Sequence, residues 1–194
     1  EAFYYKSAGN CCGLGFLLKA FEEAGCQVLG TELSEPCIAF AQEALHIEVV
    51  KADEFEALLH NYKEEFDLVI TYHVLEHLIS PKELKKMISY VLKKNGVWSI
   101  ELPNILSFKS LWLQWNWKGL SYPAHKTFLT EKTFPLFLRP EFVILSMQTS
   151  VSSLFYEKIE GYLRFLTNND SSYIAKFATL LSGTNIQVEA RKVL

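Results

Sequence analysis

Apolar residues recur with two different periods along the first hundred positions of the chain. In segments 16–24, 34–45 and 81–94 they fall three or four positions apart, as on the buried face of a helix. Between these segments lie short, mostly apolar runs of the kind that form buried strands, at 27–31, 46–51, 66–71 and 97–102. Such alternation of strand and helix needs crossover connections and predicts a parallel sheet.

The ends of these helices carry sequence signals. Gly25 follows the first helical segment as a stop, and Ser34 is placed to cap the second. The run Ser80-Pro81-Lys82-Glu83 combines a capping serine, a proline in the first turn and the glutamate of a capping box. We expect the helix that starts there to end at Asn95-Gly96.

The pattern changes after position 103. An aromatic segment at 108–122 precedes a short predicted helix near 130–138 and a strand near 142–147, and one or two helices are expected within 154–181. At 185–193 apolar Ile186, Val188 and Ala190 alternate with polar residues, which predicts a last strand at the edge of the sheet.

Length and composition favour one globular domain over residues 1–194. About half of the residues (49%) are hydrophobic and 21% are charged, which is ordinary for a domain with a packed core. The net charge of −3 and the scattered cations argue against nucleic acid as a partner. No apolar run is long enough for a membrane span, and the first five residues lack signal-peptide features, so we expect a cytoplasmic protein without stable membrane insertion.

Two loops that follow predicted strands carry residues suited to a nucleoside ligand. In the first loop, Gly13 and Gly15 allow a tight turn and close approach of the backbone to a ligand at the start of a helix. Glu32 ends the next strand, where a carboxylate can accept hydrogen bonds from ribose hydroxyls. Together they predict a ligand that contains adenosine.

With these loops and several further motifs, the chain resembles the class I S-adenosylmethionine-dependent methyltransferases, especially the broad bacterial group that methylates sugars, lipids and quinone precursors. The likeness runs from about position 8 to the last residue. The resemblance rests on six segments: Gly13-Leu14-Gly15, Val28-Leu29-Gly30-Thr31-Glu32, Phe66-Asp67-Leu68-Val69-Ile70, His73-Val74-Leu75-Glu76-His77, Asn95-Gly96 and Glu101-Leu102-Pro103-Asn104.

The resemblance implies a fold, a cofactor and a set of site residues. The fold is a Rossmann-like, doubly wound α/β domain with a mostly parallel seven-stranded sheet, an antiparallel last strand and helices on both faces. The cofactor is S-adenosylmethionine. Gly13 and Gly15 would line its methionine part, Glu32 would hold the ribose and Asp53 would reach the adenine amino group, while Tyr72 and His73 would close over the sulfonium.

Two neighbouring positions of the donor site depart from the family pattern. Gly9, also expected in the donor site, stands where relatives usually carry an acidic residue, and Cys11 stands where they have a glycine. Loss of that carboxylate would remove a charge-assisted hydrogen bond worth about 1.5–3 kcal/mol to the donor's amino group. The chain would then bind the donor weakly, or another group would substitute.

The resemblance also implies the reaction and the acceptor side. A methyl group would pass to an oxygen, nitrogen or carbon of a small molecule, glycan or lipid precursor. Segment 105–135 would face this acceptor, and segment 151–183 would form a helical insertion. His77 and His125 are the candidate catalytic residues, because imidazole changes protonation near neutral pH. Upstream of His125 lies an aromatic cluster that would cover an apolar acceptor, dock on a surface or simply pack: Trp112, Trp115 and Trp117.

Three alternatives stay open at this stage. A non-catalytic domain of the same fold is favoured by Gly9. A nicotinamide-dependent oxidoreductase is disfavoured, because Leu18 occupies the place of the third glycine of the dinucleotide fingerprint. The pattern His73-x-x-Glu76-His77 also matches a zinc peptidase motif, but the segment is too short for the helix that this motif needs. Some relatives hold a divalent ion with two acids and two histidines; His73 replaces the first acid here, and we expect no metal.

Overall fold

The computed structural model describes residues 2–6, 12–52, 59–150 and 184–194. Strands and helices alternate through the first half of the chain. The strands are β1 (Ala2–Lys6), β2 (Gln27–Glu32), β3 (Val49–Lys51), β4 (Phe66–Tyr72), β5 (Leu92–Pro103), β6 (Phe142–Ser150) and β7 (Asn185–Lys192). The helices are α1 (Phe16–Glu23), α2 (Glu35–Ala44), α3 (Pro81–Val91), α4 (Phe108–Leu113) and α5 (Phe134–Leu138), with short 3-10 helices at Leu59–Tyr62, Leu75–His77 and Gln114–Asn116.

The strands form one sheet in the order β3-β2-β1-β4-β5-β7-β6. The pairs from β3 to β5 are all parallel, whereas β7 runs antiparallel to both β5 and β6. The order reverses at β1, where the chain leaves for β2 on one side and later returns to β4 on the other. Ligands of open α/β sheets bind at such a reversal, beyond the carboxyl ends of the strands.

Helices cover both faces of the sheet. Neighbouring side chains of a strand point to opposite faces, and Val69 and Ile70 of β4 accordingly belong to two separate cores. Ile70 packs with Leu18 of α1 and Ala41 of α2. Val69 shares its core with buried residues of α3 and α5, among them Leu84, Ile88, Phe134 and Leu138. These features confirm the Rossmann-like α/β fold expected from the sequence.

The predicted end of α3 is wrong. The helix ends at Val91, and Leu92 is already extended and paired with Phe66 of β4. Leu92 is fully buried, so packing against the sheet outweighs continuation of the helix. Asn95-Gly96 instead lies within β5, at the irregularity where its register with β4 shifts between Phe66 and Leu68. Asn95 has φ of 67°, and a Cβ on Gly96 would lie 2.9 Å from the carbonyl oxygen of Lys93.

Two further local expectations fail. Ser80 precedes α3 as predicted, but its side chain makes no capping hydrogen bond. The last strand, β7, lies inside the sheet between β5 and β6, and β6 is the edge strand. The alternating pattern of β7 arises because one face of this strand, with Ile186, Val188 and Ala190, is buried in the core, while the other face is only partly covered. Alternation reports this one-sided burial and not an edge position.

Some expectations lie outside the described residues. They include the helices predicted within 154–181, which fall in segment 151–183. Among the helices that the structure describes, none is long and apolar enough to cross a membrane.

Candidate functional site

The turn that leads into α1 uses two glycines with left-handed backbone angles. Gly13 has φ of 51° and Gly15 has φ of 83°, a region that favours glycine. The N–H of Gly15 donates to the carbonyl of Cys12 at 2.8 Å, which closes the turn just before α1 begins at Phe16. The turn presents the N-terminus of α1, with its unpaired N–H groups, beside the reversal point of the sheet.

Glycines also set how closely α1 approaches its neighbours. A Cβ on Gly15 would lie 3.2 Å from Cβ of Ala41 in α2, and a Cβ on Gly30 of β2 would lie 2.7 Å from Leu18 of α1. Around Gly13, by contrast, a Cβ would meet no heavy atom within 4 Å. Gly15 and Gly30 therefore allow close packing, whereas Gly13 borders open space that a ligand can occupy.

Glu32 ends β2 and is 1% exposed. Its Oε2 atom accepts the backbone N–H of Cys12 at 2.9 Å, and Oε1 accepts those of Leu33 at 2.8 Å and Ser34 at 3.0 Å. The carboxylate thus joins the glycine turn to the start of α2. Its place at the strand end agrees with the sequence expectation, and its bonds to the turn are a feature that the sequence pattern did not reveal.

These residues fit a nucleoside donor. A buried carboxylate beside a glycine turn, with open space at Gly13 and a helix N-terminus next to it, is suited to hold ribose and a zwitterionic amino acid. Two of the expected donor residues, Gly9 and Asp53, lie outside the described residues.

Tyr72 ends β4 and His73 follows it, and their side chains lie in different surroundings. The hydroxyl of Tyr72 lies 3.1 Å from Oγ of Ser99, and the Tyr72 ring packs against the core that contains Cys12 and Leu18. This places it on the side of the glycine turn. His73, with φ of 55°, lines a different cavity beside the carboxyl end of β5.

Two carboxylates hold the His73 ring. Its Nδ1 lies 3.1 Å from Oε1 of Glu76, and its Nε2 lies 3.2 Å from Oε1 of Glu101. Hydrogen bonds to Glu101 and then to Glu76 raise the pKa of His73 to about 9, so the ring is an imidazolium at neutral pH. The same bond from His73 lowers the pKa of Glu101, which also accepts hydrogen bonds from Asn185 and Gln187. The sequence analysis named Glu101 only as part of the resemblance and gave it no role in the site, although its position near the end of β5 was a usable signal.

The two candidate catalytic histidines, His77 and His125, lie in contact. Their ring centroids are 4.8 Å apart, and the rings meet edge to face. Nδ1 of His77 lies 3.3 Å from the carbonyl of Ala124, and Nδ1 of His125 lies 2.7 Å from that of Gly119. These bonds leave Nε2 as the ring nitrogen that each histidine can offer to a ligand.

Backbone bonds keep this histidine pair together. The N–H groups of Lys126 and Thr127 both donate to the carbonyl of Glu76, and the hydroxyl of Thr127 donates to the carbonyl of Leu78. Segment 124–127 is thereby tied to the short 3-10 helix at Leu75–His77. Because this 3-10 helix has only three residues, the segment does not form the long helix that the zinc peptidase motif needs.

Among the described residues, Glu76, His77 and His125 form a group that could hold a metal ion. Each offers one ligand atom, and these atoms all lie within 4.8 Å of one another. Oε2 of Glu76 is buried and has no hydrogen-bond partner among the residues that the structure describes. The expected donor residue His73 touches this group through Oε1 of Glu76.

A cavity of about 740 Å³ adjoins the histidines, with His73 and His125 in its lining. Trp117, 5% exposed, contributes to the same lining. Trp112 and Trp115 are 74% and 85% exposed and lie apart from the core. Of the three tryptophans in the aromatic cluster, Trp117 therefore lines the cavity, whereas Trp112 and Trp115 are exposed. The sequence did not distinguish them.

Comparisons with known proteins agree with this arrangement. Residues 10–100 match the family model described as a methyltransferase domain. Among solved structures, a methyltransferase dependent on S-adenosylmethionine from Archaeoglobus fulgidus is 23% identical to this chain, with a TM-score of 0.67. The alignment covers 99% of this chain and 86% of the Archaeoglobus chain. One from Mesorhizobium loti is 18% identical, with a TM-score of 0.65 and coverage of 98% and 90%. The [4+2]-cyclase SpnF is 16% identical, with a TM-score of 0.63 and coverage of 100% and 75%.

No curated protein sequence matches the chain. The solved structures are similar to it in fold, and the family model matches the segment that holds the glycine turn, Glu32 and the loop after β4. The family model and these structural neighbours together support a class I methyltransferase domain that depends on S-adenosylmethionine.

Proposed function

We propose that the chain transfers the methyl group of S-adenosylmethionine to an oxygen, nitrogen or carbon nucleophile of a small molecule, glycan or lipid precursor. The observation that carries the proposal is the buried Glu32 carboxylate, bonded to the glycine turn at Cys12, next to the open space at Gly13. A turn held in this way provides a fixed surface for the donor.

When bound, the cofactor supplies a methyl group that is already activated by the sulfonium. The protein's task is then to align the nucleophile with that group and to exclude water. Gly13 and Gly15 would let the backbone approach the methionine part. Glu32 would fix the turn and contact the ribose, and Tyr72 would contribute on the same side of the sheet.

The acceptor would enter by the cavity that His73 and His125 line. His125 is suited to take a proton from the nucleophile, because its Nδ1 is engaged with Gly119 and Nε2 remains to act as the base. His77 packs against His125 and would hold its ring in place. Both ring nitrogens of His73 are bonded to glutamates, so His73 would add positive charge to the lining and would not remove a proton from the acceptor.

Two other functions are compatible with the fold. The similar structure of SpnF is described as a [4+2]-cyclase, so this fold also occurs in a protein with another activity. Gly9, in place of the usual acidic residue, favours a domain that binds a ligand without methyl transfer. The nicotinamide alternative is weaker. Leu18 stands in place of the third glycine and is buried against Gly30, so α1 approaches the sheet by a different contact.

Calorimetry and a transfer assay separate these functions. S-adenosylmethionine and S-adenosylhomocysteine should bind, and oxidised and reduced nicotinamide dinucleotides should not. Labelled methyl transfer is then measured against a panel of phenols, sugars and amines. Binding without transfer to any of them would favour the non-catalytic domain, and binding of the dinucleotides alone would overturn the proposal.

A further inference from the structure

Helix α4 presents its large apolar side chains to the outside. Phe108, Leu111 and Trp112 recur at helical spacing and are 43%, 62% and 74% exposed. Ser107, which caps the helix by accepting the N–H of Ser110, is buried, and so is Ser110 itself. A helix at a surface in contact with water normally shows the reverse order, with apolar residues inside and polar residues outside. The outer side of α4 is therefore suited to an apolar medium.

Trp115 extends this apolar surface beyond α4. It lies in the 3-10 helix that follows, three positions after Trp112, and is 85% exposed. Three peptide links keep the Cα atoms of the two tryptophans within about 11.4 Å of each other. The rings of Phe108 and Trp112 stack, with centroids 5.9 Å apart. Phe108, Leu111, Trp112 and Trp115 together form a surface that we call the aromatic face.

The segment that carries the aromatic face is basic. From position 102 to position 130 it contains three lysines and no Asp or Glu, in a chain whose net charge is −3. Lys118 and Lys126 are exposed, and Lys118 follows Trp115 by three positions. An indole ring combines an apolar body with a polar N–H and is favoured at the boundary of a bilayer, where lysines are attracted to anionic lipids. The charge and the exposed side chains of this segment are therefore complementary to an anionic lipid surface.

The composition of the segment disfavours two other occupants of the aromatic face. In a symmetric dimer the same patch of both copies meets, so Lys118 would approach a surface of its own sign. Interfaces with other proteins are enriched in Arg and depleted in Lys, whereas all the cations from position 102 to position 130 are lysines.

We propose that the aromatic face docks on the surface of an anionic phospholipid bilayer. Leu111, Trp112 and Trp115 enter the boundary between headgroups and acyl chains, and Lys118 lies among the headgroups. The contact involves one leaflet, since α4 has only six residues.

Docking in this way brings the cavity that His73 and His125 line to the lipid surface. Leu113, Asn116 and Lys118, from the same stretch of chain as the aromatic face, contribute to the lining of this cavity. The proposal goes beyond methyl transfer and does not depend on it, because lipid binding is measured without cofactor or acceptor.

The experiment is sedimentation of the protein with vesicles of phosphatidylcholine and phosphatidylglycerol in equal parts, and separately with vesicles of phosphatidylcholine alone. The main variant is Trp112→Ser/Trp115→Ser. Its control is Leu136→Ser, because Leu136 in α5 is also 74% exposed and lies outside the basic segment. Lys118→Gln is paired with Lys63→Gln, since Lys63 is exposed and precedes β4, at the opposite edge of the sheet from the end of β5. All these side chains are exposed, so the variants should unfold at the wild-type temperature.

We expect the wild type to bind the anionic vesicles and to bind phosphatidylcholine alone much more weakly. The tryptophan variant should lose about tenfold or more in affinity, and Lys118→Gln about fivefold, while both controls match the wild type. Tryptophan emission should shift to shorter wavelength on binding, because Trp112 and Trp115 leave water whereas Trp98 and Trp117 are already buried.

Three results would overturn the proposal: no binding of the wild type to anionic vesicles, equal binding by the tryptophan variant, or equal binding to both kinds of vesicle. Light scattering without vesicles tests the competing occupant. A wild-type dimer that the tryptophan variant converts to a monomer would assign the aromatic face to a second copy of the chain, and would equally overturn docking on lipid.

Discussion

Oε2 of Glu32 accepts the backbone N–H of Cys12 at 2.9 Å, so the carboxyl end of β2 is bonded directly to the turn that precedes α1. Cys12 itself accepts the N–H of Gly15, and the turn is therefore fixed at both of its ends. The geometry of the donor site depends on a side chain whose sequence pattern suggested only a ribose contact.

Glu32→Gln is predicted to weaken binding of S-adenosylhomocysteine by about tenfold or more. An amide nitrogen cannot accept a backbone N–H, so one donor in the turn is left unpaired, at about 1–3 kcal/mol. Calorimetry measures the change. Glu35→Gln is the control, because Glu35 is close in sequence but is exposed and pairs with Lys51. Equal affinity of the Glu32 variant and the wild type would remove this residue from the donor site.

Gly13→Ala and Gly15→Ala are predicted to separate binding from stability. Both impose a left-handed angle on alanine, at about 1–2 kcal/mol. Only the Gly15 variant also adds a methyl group 3.2 Å from Ala41, so it should unfold at a lower temperature than the Gly13 variant. The Gly13 variant should bind the donor product more weakly, because its methyl group enters the open space. Thermal unfolding and calorimetry test the pair, and the reverse order of melting temperatures would contradict the packing argument.

His73 should make stability depend on pH in the alkaline range. The pKa of His73 is raised from 6.5 to about 9 in the folded protein, mainly by Glu101 and then by Glu76. Its contribution to stability is therefore complete below about pH 6.5 and is lost as the pH rises through about 9. The melting temperature should fall over this range, and His73→Gln should flatten the fall. An unchanged slope in the variant would show that other groups are responsible.

The sequence predicted those parts of the structure that depend on local periodicity. The strand β4 and the start of α3 follow from apolar spacing and from Pro81, and both lie where expected. The end of α3 was missed because the burial of Leu92 against the sheet is a tertiary effect. The contact of His77 with His125 and the bonds of His73 to Glu101 join distant segments. Periodicity contains no information on such contacts.

His125→Gln is predicted to lower the rate of methyl transfer about 100-fold or more while donor binding stays unchanged, if a proton leaves the acceptor through this ring. Glutamine keeps a polar side chain in the cavity but cannot act as the base. Initial rates over a range of pH give kcat and KM for each protein. His60→Gln is the control, since His60 is exposed within Leu59–Tyr62. A variant with the wild-type rate and pH profile would limit His125 to a packing role.

Methyl transfer is predicted to survive exhaustive chelation, although Glu76, His77 and His125 cluster. Their ligand atoms are separated by up to 4.8 Å, whereas ligands of a tetrahedral zinc with bonds of about 2.0–2.2 Å lie only ~3.4 Å apart. Closing that gap would require side chains to move, and both imidazoles are bonded to backbone carbonyls, those of Ala124 and Gly119.

Within the described part of the chain Oε2 of Glu76 has no hydrogen-bond partner, and this feature favours an ion. However, the hard oxygen ligand that magnesium prefers is replaced at position 73 by an imidazole already bonded to Glu76. Activity is assayed after dialysis against a chelator and again after single divalent ions are added back, with metal content determined in parallel. The prediction would be refuted, and a metal centre established, if chelation abolished activity and one divalent ion restored it in the wild type but not in His125→Ala. Retained activity with no bound metal would leave the three side chains to support the loop after β4 and to shape the acceptor cavity.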